Sequence, residues 1–222
     1  MKRKLNCSGI MKRTLLLVIV LCFCMFSMFA SKSWFGVEGF TTHSEENKTY
    51  TFLGVNSSED STVTLMGIAI SGTIFPNQET PFGIGYQIGA GKIIAATNGS
   101  SEEDVSDYPL TFRGSLLFKY NVAFSKQFSM EFGAGGLYES MTREGFSEDT
   151  TVVTVEYNTL SFIANTNLLF HVSDSFALLG GVSIATPLSN KITLSSESLS
   201  YNDDIAVTGY TVLGQLGLAF SL

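Results

Sequence analysis

Four charged residues in the middle of the chain, Arg113, Lys119, Glu131 and Glu139, are the first place to look for chemistry. Arg113 and Lys119 lie an even number of residues apart, as do Glu131 and Glu139, so on extended strands each pair shares one face. Facing one another across a hairpin, they would form Arg113–Glu139 and Lys119–Glu131 ion pairs. Such pairs can gate a narrow pore, or they can fill a closed interior and neutralise each other. The second use is favoured, and a cationic partner for each carboxylate argues against acid/base work. The glycines Gly83, Gly85, Gly89 and Gly91 suggest a nucleotide loop, but the dinucleotide fingerprint needs glycine where Ile88 stands. A P-loop ending at Gly91-Lys92 would need glycine in place of Tyr86 and Ser or Thr in place of Ile93. His43 with Ser44 is the one histidine–serine candidate for catalysis, and His171 falls by a predicted short turn at the opposite end of the molecule. No spaced Ca²⁺-loop pattern appears. The expectation is no enzyme, no cofactor and no metal.

The elements that must position these residues are strands. Period-two alternation runs through most of the chain, and no comparable stretch shows a 3.6-residue period. The clearest case is Leu110–Phe124, with Leu110, Phe112, Gly114, Leu116, Phe118, Tyr120, Val122 and Phe124 on one face. Arg113, Ser115, Leu117, Lys119 and Asn121 take the other. Phe128–Tyr138 and Tyr210–Leu222 behave alike. Five more segments run roughly Ser33–Thr42, Ser61–Phe75, Phe82–Lys92, Val152–Val172 and Phe176–Leu188. In Val152–Val172 the apolar phase changes, from Val153, Val155 and Tyr157 to Leu160 and Phe162, which predicts a bulge near Asn158.

Connections alternate in length. Asn77–Thr80, Ser125–Gln127 and Ser173–Ser175 are short; His43–Asp60, Ile93–Asp107, Ser140–Thr151 and Ser189–Asp204 are long. The long ones hold much of the acid, including Glu102, Glu103, Asp104, Asp107, Asp203 and Asp204. Short turns at one end and long polar loops at the other are the pattern of a transmembrane β-barrel. A three-residue turn at Ser125–Gln127 pairs Phe124 with Phe128, Tyr120 with Phe132, Gly114 with Tyr138, Arg113 with Glu139 and Asn121 with Glu131. Tyr138 would then shield Gly114.

Which face points outward decides the class. A soluble ligand-binding barrel puts the apolar face inside. Eight strands, however, leave an interior only wide enough for side chains. The polar phase, with its small residues and paired charges, fits there; the phase carrying Phe112, Phe118 and Phe132 does not. Tyr86, Tyr120, Phe124, Phe128, Tyr138, Tyr210 and Phe220 are therefore assigned to the lipid side, most of them toward strand ends as an aromatic girdle requires.

The 222 residues carry 13 Lys+Arg against 20 Asp+Glu, a charge of −7, which argues against nucleic acid as a partner. Lys12 and Arg13 precede Leu15–Ala30, an uncharged stretch, as in a secretory signal peptide cut near Ala30. All three cysteines, Cys7, Cys22 and Cys24, lie within it, so the exported chain has none. The domain reading is a signal peptide at 1–30 and one barrel at 31–222.

The glycine-rich run Phe82-Gly83-Ile84-Gly85-Tyr86, the loop alternation and the terminal strand Tyr210–Leu222 resemble small eight-stranded outer-membrane proteins of the OmpA/OmpX/OmpW type. The resemblance implies an all-β, eight-stranded antiparallel up-and-down transmembrane β-barrel in a bacterial outer membrane, with short periplasmic turns and long extracellular loops. It implies outer-membrane lipid as solvent and the barrel-assembly machinery as a biogenesis partner. That machinery reads an aromatic final residue in many members; here the chain ends Phe220-Ser221-Leu222. An extracellular ligand of the acidic loops is a candidate partner. The implied role is structural or surface interaction around a side-chain-filled lumen. The runner-up is a narrow OmpW-like conduit for small hydrophobic molecules, and a soluble lipocalin-like barrel is the third reading. Glu139→Ala is expected to destabilise by exposing Arg113 to an unpaired state, whereas Glu102→Ala is not.

Overall fold

The computed structural model describes residues 33–52, 55–77, 79–106, 108–146, 152–195 and 200–222. The expected signal segment with its cysteines, and Asp107, lie outside them. Nine strands are present: β1 (Trp34–Phe52), β2 (Val55–Ile74), β3 (Phe82–Asn98), β4 (Ser101–Glu102), β5 (Leu110–Ala123), β6 (Phe128–Phe146), β7 (Val152–Ser173), β8 (Phe176–Ser195) and β9 (Ser200–Ser221). Neighbours pair in the order β2-β1-β9-β8-β7-β6-β5-β3, and β2 also pairs with β3, so these strands close into a ring. The two-residue β4 only folds back onto the tip of β3. The wall is therefore an eight-stranded barrel, antiparallel throughout, and no edge is left open around the ring.

The start of β1 and the end of β9 meet at one rim. Trp34 pairs with Ser221, and the Leu222 amide donates to the Ser33 carbonyl at 2.8 Å. The short turns lie at this rim too. The Asn77 side chain accepts from the Glu79 and Thr80 amides at 3.1 and 2.7 Å, and Ser125 Oγ accepts from the Gln127 and Phe128 amides. These are side-chain-capped turns of the kind Asn and Ser favour. The β5–β6 register pairs Tyr120 with Phe132, Gly114 with Tyr138 and Arg113 with Glu139, the alignment that the three-residue turn dictates.

The faces are sharply divided. Outside, Phe118 is 78% exposed, Leu216 76% and Ile68 70%; inside, Leu137, Leu169, Leu179 and Leu213 are at most 2% exposed. Most of the large apolar groups thus face outward, the reverse of a soluble ligand-binding barrel, while Trp34, Phe40 and Phe75 are the large ones kept inside. On β5 the apolar exterior runs from Leu110 to Tyr120. Ten residue steps of about 3.3 Å, tilted by roughly 40°, give a band about 25 Å tall.

The strands run much further than the alternation suggested. Residues 43–60, expected as a loop, are mostly β1 and β2, whose pairing continues to Phe52–Val55. Residues 140–146 extend β6, and residues 189–195 and 200–204 extend β8 and β9. The reason is environmental. Beyond the apolar band both faces meet water, so the apolar/polar contrast that marks a strand fades while its hydrogen bonds persist.

The same effect explains β7. The bulge expected near Asn158 is not in β7, which pairs with β6 without any register shift; the β7–β8 ladder does shift two residues on, between Leu160 and Ser161, with the extra residue on β8. Tyr157 and Thr159 continue the inward phase and line the lumen. Asn158 and Glu156 take the outer phase, where the Asn158 amide donates to Glu156 at 3.0 Å. What changes is the solvent outside, not the chain's phase. Ile94 is skipped in the β2–β3 ladder and Leu188, beside Pro187, in the β7–β8 ladder; the register also shifts between His171 and Ser173 and, in the β8–β9 ladder, between Ala185 and Asn190. A proline within a strand is tolerated at such a site.

Candidate functional site

Among the described residues, the lumen gathers polar and charged groups from every wall strand. At mid-height it holds one continuous polar network. Glu131 on β6 is fully buried. Its carboxylate accepts from Trp34 Nε1 at 2.7 Å and from Thr73 Oγ1 at 2.9 Å, and Lys119 Nζ lies 3.9 Å away. Lys119 donates to Asn165 Oδ1. The Asn165 amide donates to Ser183 Oγ and to Asn167 Oδ1, both at 2.9 Å. Gln215 donates to that same Asn167 oxygen at 2.9 Å. Gln87 contacts Gln215 and donates to Glu38, and Glu38 also accepts from Ser71 Oγ at 3.0 Å. All eight wall strands contribute at least one member.

Backbone choices make room for it. A Cβ on Gly85 would lie 2.6 Å from Lys119 Cε, and one on Gly133 would lie 2.8 Å from Lys119 Cδ. Two glycines on the strands flanking β5 thus form the slot that takes the lysine stem. The glycine run that invited a nucleotide-loop reading serves packing inside a narrow barrel. Around the network only about 20 Å³ of free space is left. That is room for about one water. This level is the neck of the lumen.

Two cavities flank the neck. At the short-turn rim a cavity of about 610 Å³ is lined by Trp34, Phe75, Glu131, Leu169 and His171 among others. There His171 Nε2 and Ser129 Oγ are 3.2 Å apart. At the long-hairpin end a cavity of about 350 Å³ has an apolar floor of Leu65, Ile93, Ala96 and Met141, with Glu46, Glu59, Glu103 and Glu139 set around it. Among the described residues no group of His, Cys, Asp or Glu is arranged to hold a metal ion.

Arg113 lies between the neck and the upper cavity and is bonded differently. Its side chain is almost fully buried, with Glu139 Oε1 4.0 Å from Nη1. That separation is too long for a hydrogen bond. The guanidinium instead lies over the Phe40 ring, 4.7 Å from its centroid. Nε, Nη1 and Nη2 have no hydrogen-bond partner, and neither does Thr111 Oγ1, two residues away on the same face.

The structure therefore brings Arg113 to Glu139 and Lys119 to Glu131, but the two pairs are unequal. The aromatic positions all lie on the outer surface. Tyr120 packs on Phe82, Phe124 on Phe128, and Phe220 on both Phe35 and Phe176, forming a belt at the short-turn rim. Tyr138 and Tyr210 are exposed toward the other end. Tyr138 does not shield Gly114, whose added Cβ would meet only the Gln87 carbonyl at 3.9 Å; its hydroxyl bonds Asn158. Tyr86 plays the shielding part over Gly72, where an added Cβ would touch its ring. His43 and Ser44 point to opposite faces and do not meet. His43 bonds Thr64 outside at 3.1 Å, and Ser44 bonds Thr211 at 2.8 Å.

Sequence reasoning missed Glu38, Gln87, Asn165, Asn167, Gln215 and the inward-facing Trp34. A signal existed for some of them. Gln87 is the lone polar residue on the inward phase Gly83–Gly91, and Gln215 stands on an inward phase whose central neighbours are Leu213 and Gly217. The pairing of Trp34 with Glu131 has no local signal, since the two are 97 residues apart.

No protein-family model and no curated protein sequence matches the chain. Solved structures do. The outer membrane protein OprG of Pseudomonas aeruginosa superposes with a TM-score of 0.62 at 11% identity, covering 87% of this chain and 97% of that one. The outer membrane protein AlkL, determined in lipid bilayers, gives a TM-score of 0.52 at 14% identity, covering 87% and 92%. At such identities the likeness is one of fold. The chain has the fold of the small outer-membrane β-barrels.

Proposed function

We propose that the protein is an exported bacterial outer-membrane barrel whose role is structural or one of surface interaction, with a lumen closed at its neck. The observation that carries the sealed lumen is the eight-strand network around Lys119, Glu131 and Glu38, which leaves about 20 Å³ between two separate mouths. An apolar exterior about 25 Å tall supports residence in lipid. The long hairpins that rise above this band would stand outside the cell and present the acidic residues to an extracellular ligand. The terminal Phe220-Ser221-Leu222 would be what the assembly machinery reads, after removal of residues 1–30.

The test is electrical and biochemical together. Outer-membrane recovery with a gel-mobility shift on boiling is expected, as is the absence of steady conductance in planar bilayers. Sustained conductance, or uptake of an apolar solute by vesicles containing the protein, would favour the narrow-channel reading instead. Recovery as a detergent-free soluble species would overturn membrane residence.

A further inference from the structure

The cavity at the long-hairpin end sets an apolar floor beneath an acidic wall. The floor is Leu65, Ile93, Ala96 and Met141. The wall carries four carboxylates, Glu46, Glu59, Glu103 and Glu139, against two ammonium groups, Lys48 and Lys191. Glu139 stands over the buried Arg113 guanidinium at 4.0 Å, and acid still exceeds base with that charge counted. Lys48 is opposite Glu59 in the β1–β2 register, but its Nζ lies 3.4 Å from Glu46. Glu59 and Glu103 form no ion pair among the described residues; Glu103 accepts from the Tyr108 hydroxyl. Lys191 is exposed and stands on β8, the strand opposite β3 in the ring, whereas Glu103 follows β4 at the tip of β3. Independently, Thr111 on the cavity wall is 8% exposed and its Oγ1 has no hydrogen-bond partner, so the chain alone does not complete this wall.

We propose that this cavity binds small protonated primary amines, with the ammonium on the carboxylate wall of Glu59 and Glu103 and the hydrocarbon body over Leu65 and Ile93. This gives the surface-interaction reading a ligand class, and it rests on that reading for the side of the membrane that the cavity faces. The choice of head group follows from the charge inventory. A carboxylate ligand could turn to Lys48 or Lys191, but Lys48 is already held by Glu46, and the wall as a whole repels a further anion. A hydrocarbon would cover the floor and offer the acids nothing. A neutral hydroxyl offers one donor and no charge. A primary ammonium brings three donors and the compensating charge, and its bonds to carboxylates are of the stronger, charge-assisted kind. Tyr108 and Tyr157 also line the cavity, and the face of an aromatic ring attracts a cation. A volume of about 350 Å³ lies at the small end of the range for ligand sites, which suits a small amine.

Benzylamine, benzyl alcohol and ethylbenzene share one ring and the same number of heavy atoms and differ in the head group, so they separate charge, hydroxyl and plain apolar binding. Their binding to the full-length mature protein in an uncharged detergent at neutral pH would be read from the methyl NMR signals of Leu65 and Ile93, with ligand concentrations corrected for micelle partition. The protonated amine is expected to bind at least about ten-fold more tightly than either neutral analogue, the discrimination that a charge-assisted hydrogen bond supplies. Raising the salt about ten-fold should weaken the amine alone. Glu59→Gln and Glu103→Gln should each weaken the amine several-fold and leave ethylbenzene unchanged. Lys191→Gln should tighten the amine, a change that a plain apolar pocket would not show. Equal or tighter binding of either neutral analogue would overturn the proposal. So would the absence of a saturable shift from all three ligands, which would mean that water and salt ions alone fill the cavity. Amine binding unmoved by both glutamate substitutions, or unchanged or weakened in Lys191→Gln, would overturn it too, and the lysine variant serves where a glutamate variant does not fold. The measurement reads neither location nor conductance, so its failure is separate from failure of the sealed-barrel reading.

Discussion

The neck and the upper mouth of this lumen share the same strands but treat charge in opposite ways. In the neck, Glu131 has two hydrogen bonds and a lysine, and Glu38 has two hydrogen bonds. Among the described residues, every buried side-chain polar atom without a partner belongs to Ser61, Thr111 or Arg113, all above the neck. Ser61 and Thr111 line the upper cavity. The difference teaches what a narrow barrel needs in order to close. In the neck each carboxylate oxygen and the lysine ammonium has a hydrogen-bond partner, whereas the guanidinium above it is held only by a ring face and an incomplete ion pair.

The comparison can be broken by removing one charge at a time and measuring unfolding midpoints in detergent. Glu131→Ala should give the largest loss, about 3–5 kcal/mol, because it strands Lys119 and frees the Trp34 and Thr73 donors within a dry neck. Glu139→Ala should cost less, about 1–2 kcal/mol, because Arg113 is already without hydrogen bonds and the cavity admits water. Glu102→Ala, at the exposed tip of the β3–β5 connection, should leave the midpoint unchanged and serves as the reference. Arg113→Met sharpens the contrast most at the small end. Replacing an unsatisfied guanidinium with an apolar stem over Phe40 should change stability by less than about 1 kcal/mol in either direction. Equal losses for Glu131→Ala and Glu139→Ala would remove the distinction between neck and mouth.

Much of the barrel was legible because a strand with an apolar outer face and a polar inner face writes that contrast onto every second residue. Leu110–Tyr120 and Phe128–Tyr138 carry that mark over their whole length, and their hairpin register follows from the three-residue turn between them. The hairpin β1–β2 was legible only up to Thr42, since the residues beyond it no longer separate an apolar exterior from a polar lumen. The bulges at Ile94 and Leu188 were also hidden: each moves the inward phase by one residue in a stretch where the apolar contrast is already weak. The lumenal partners were legible only where they are neighbours across one hairpin, as Arg113 and Glu139 are. Glu38 could not be placed from sequence because its partners, Ser71, Gln87 and the charge of Lys119, come from three other strands.

By itself, then, the sequence determined that the chain alternates, that the alternating faces differ in size and polarity, and that its turns are short at one end and long at the other. Those are local properties, set by which solvent each residue meets and by the chemistry of adjacent residues. Only the closed barrel decided that Trp34 caps Glu131 from across the lumen, that Lys119 runs between Gly85 and Gly133, and that Arg113 stacks on Phe40 without a hydrogen bond. These contacts join residues on strands far apart in the chain. They exist because ring closure brings eight inward faces within a side chain's reach of one another, which no local pattern encodes.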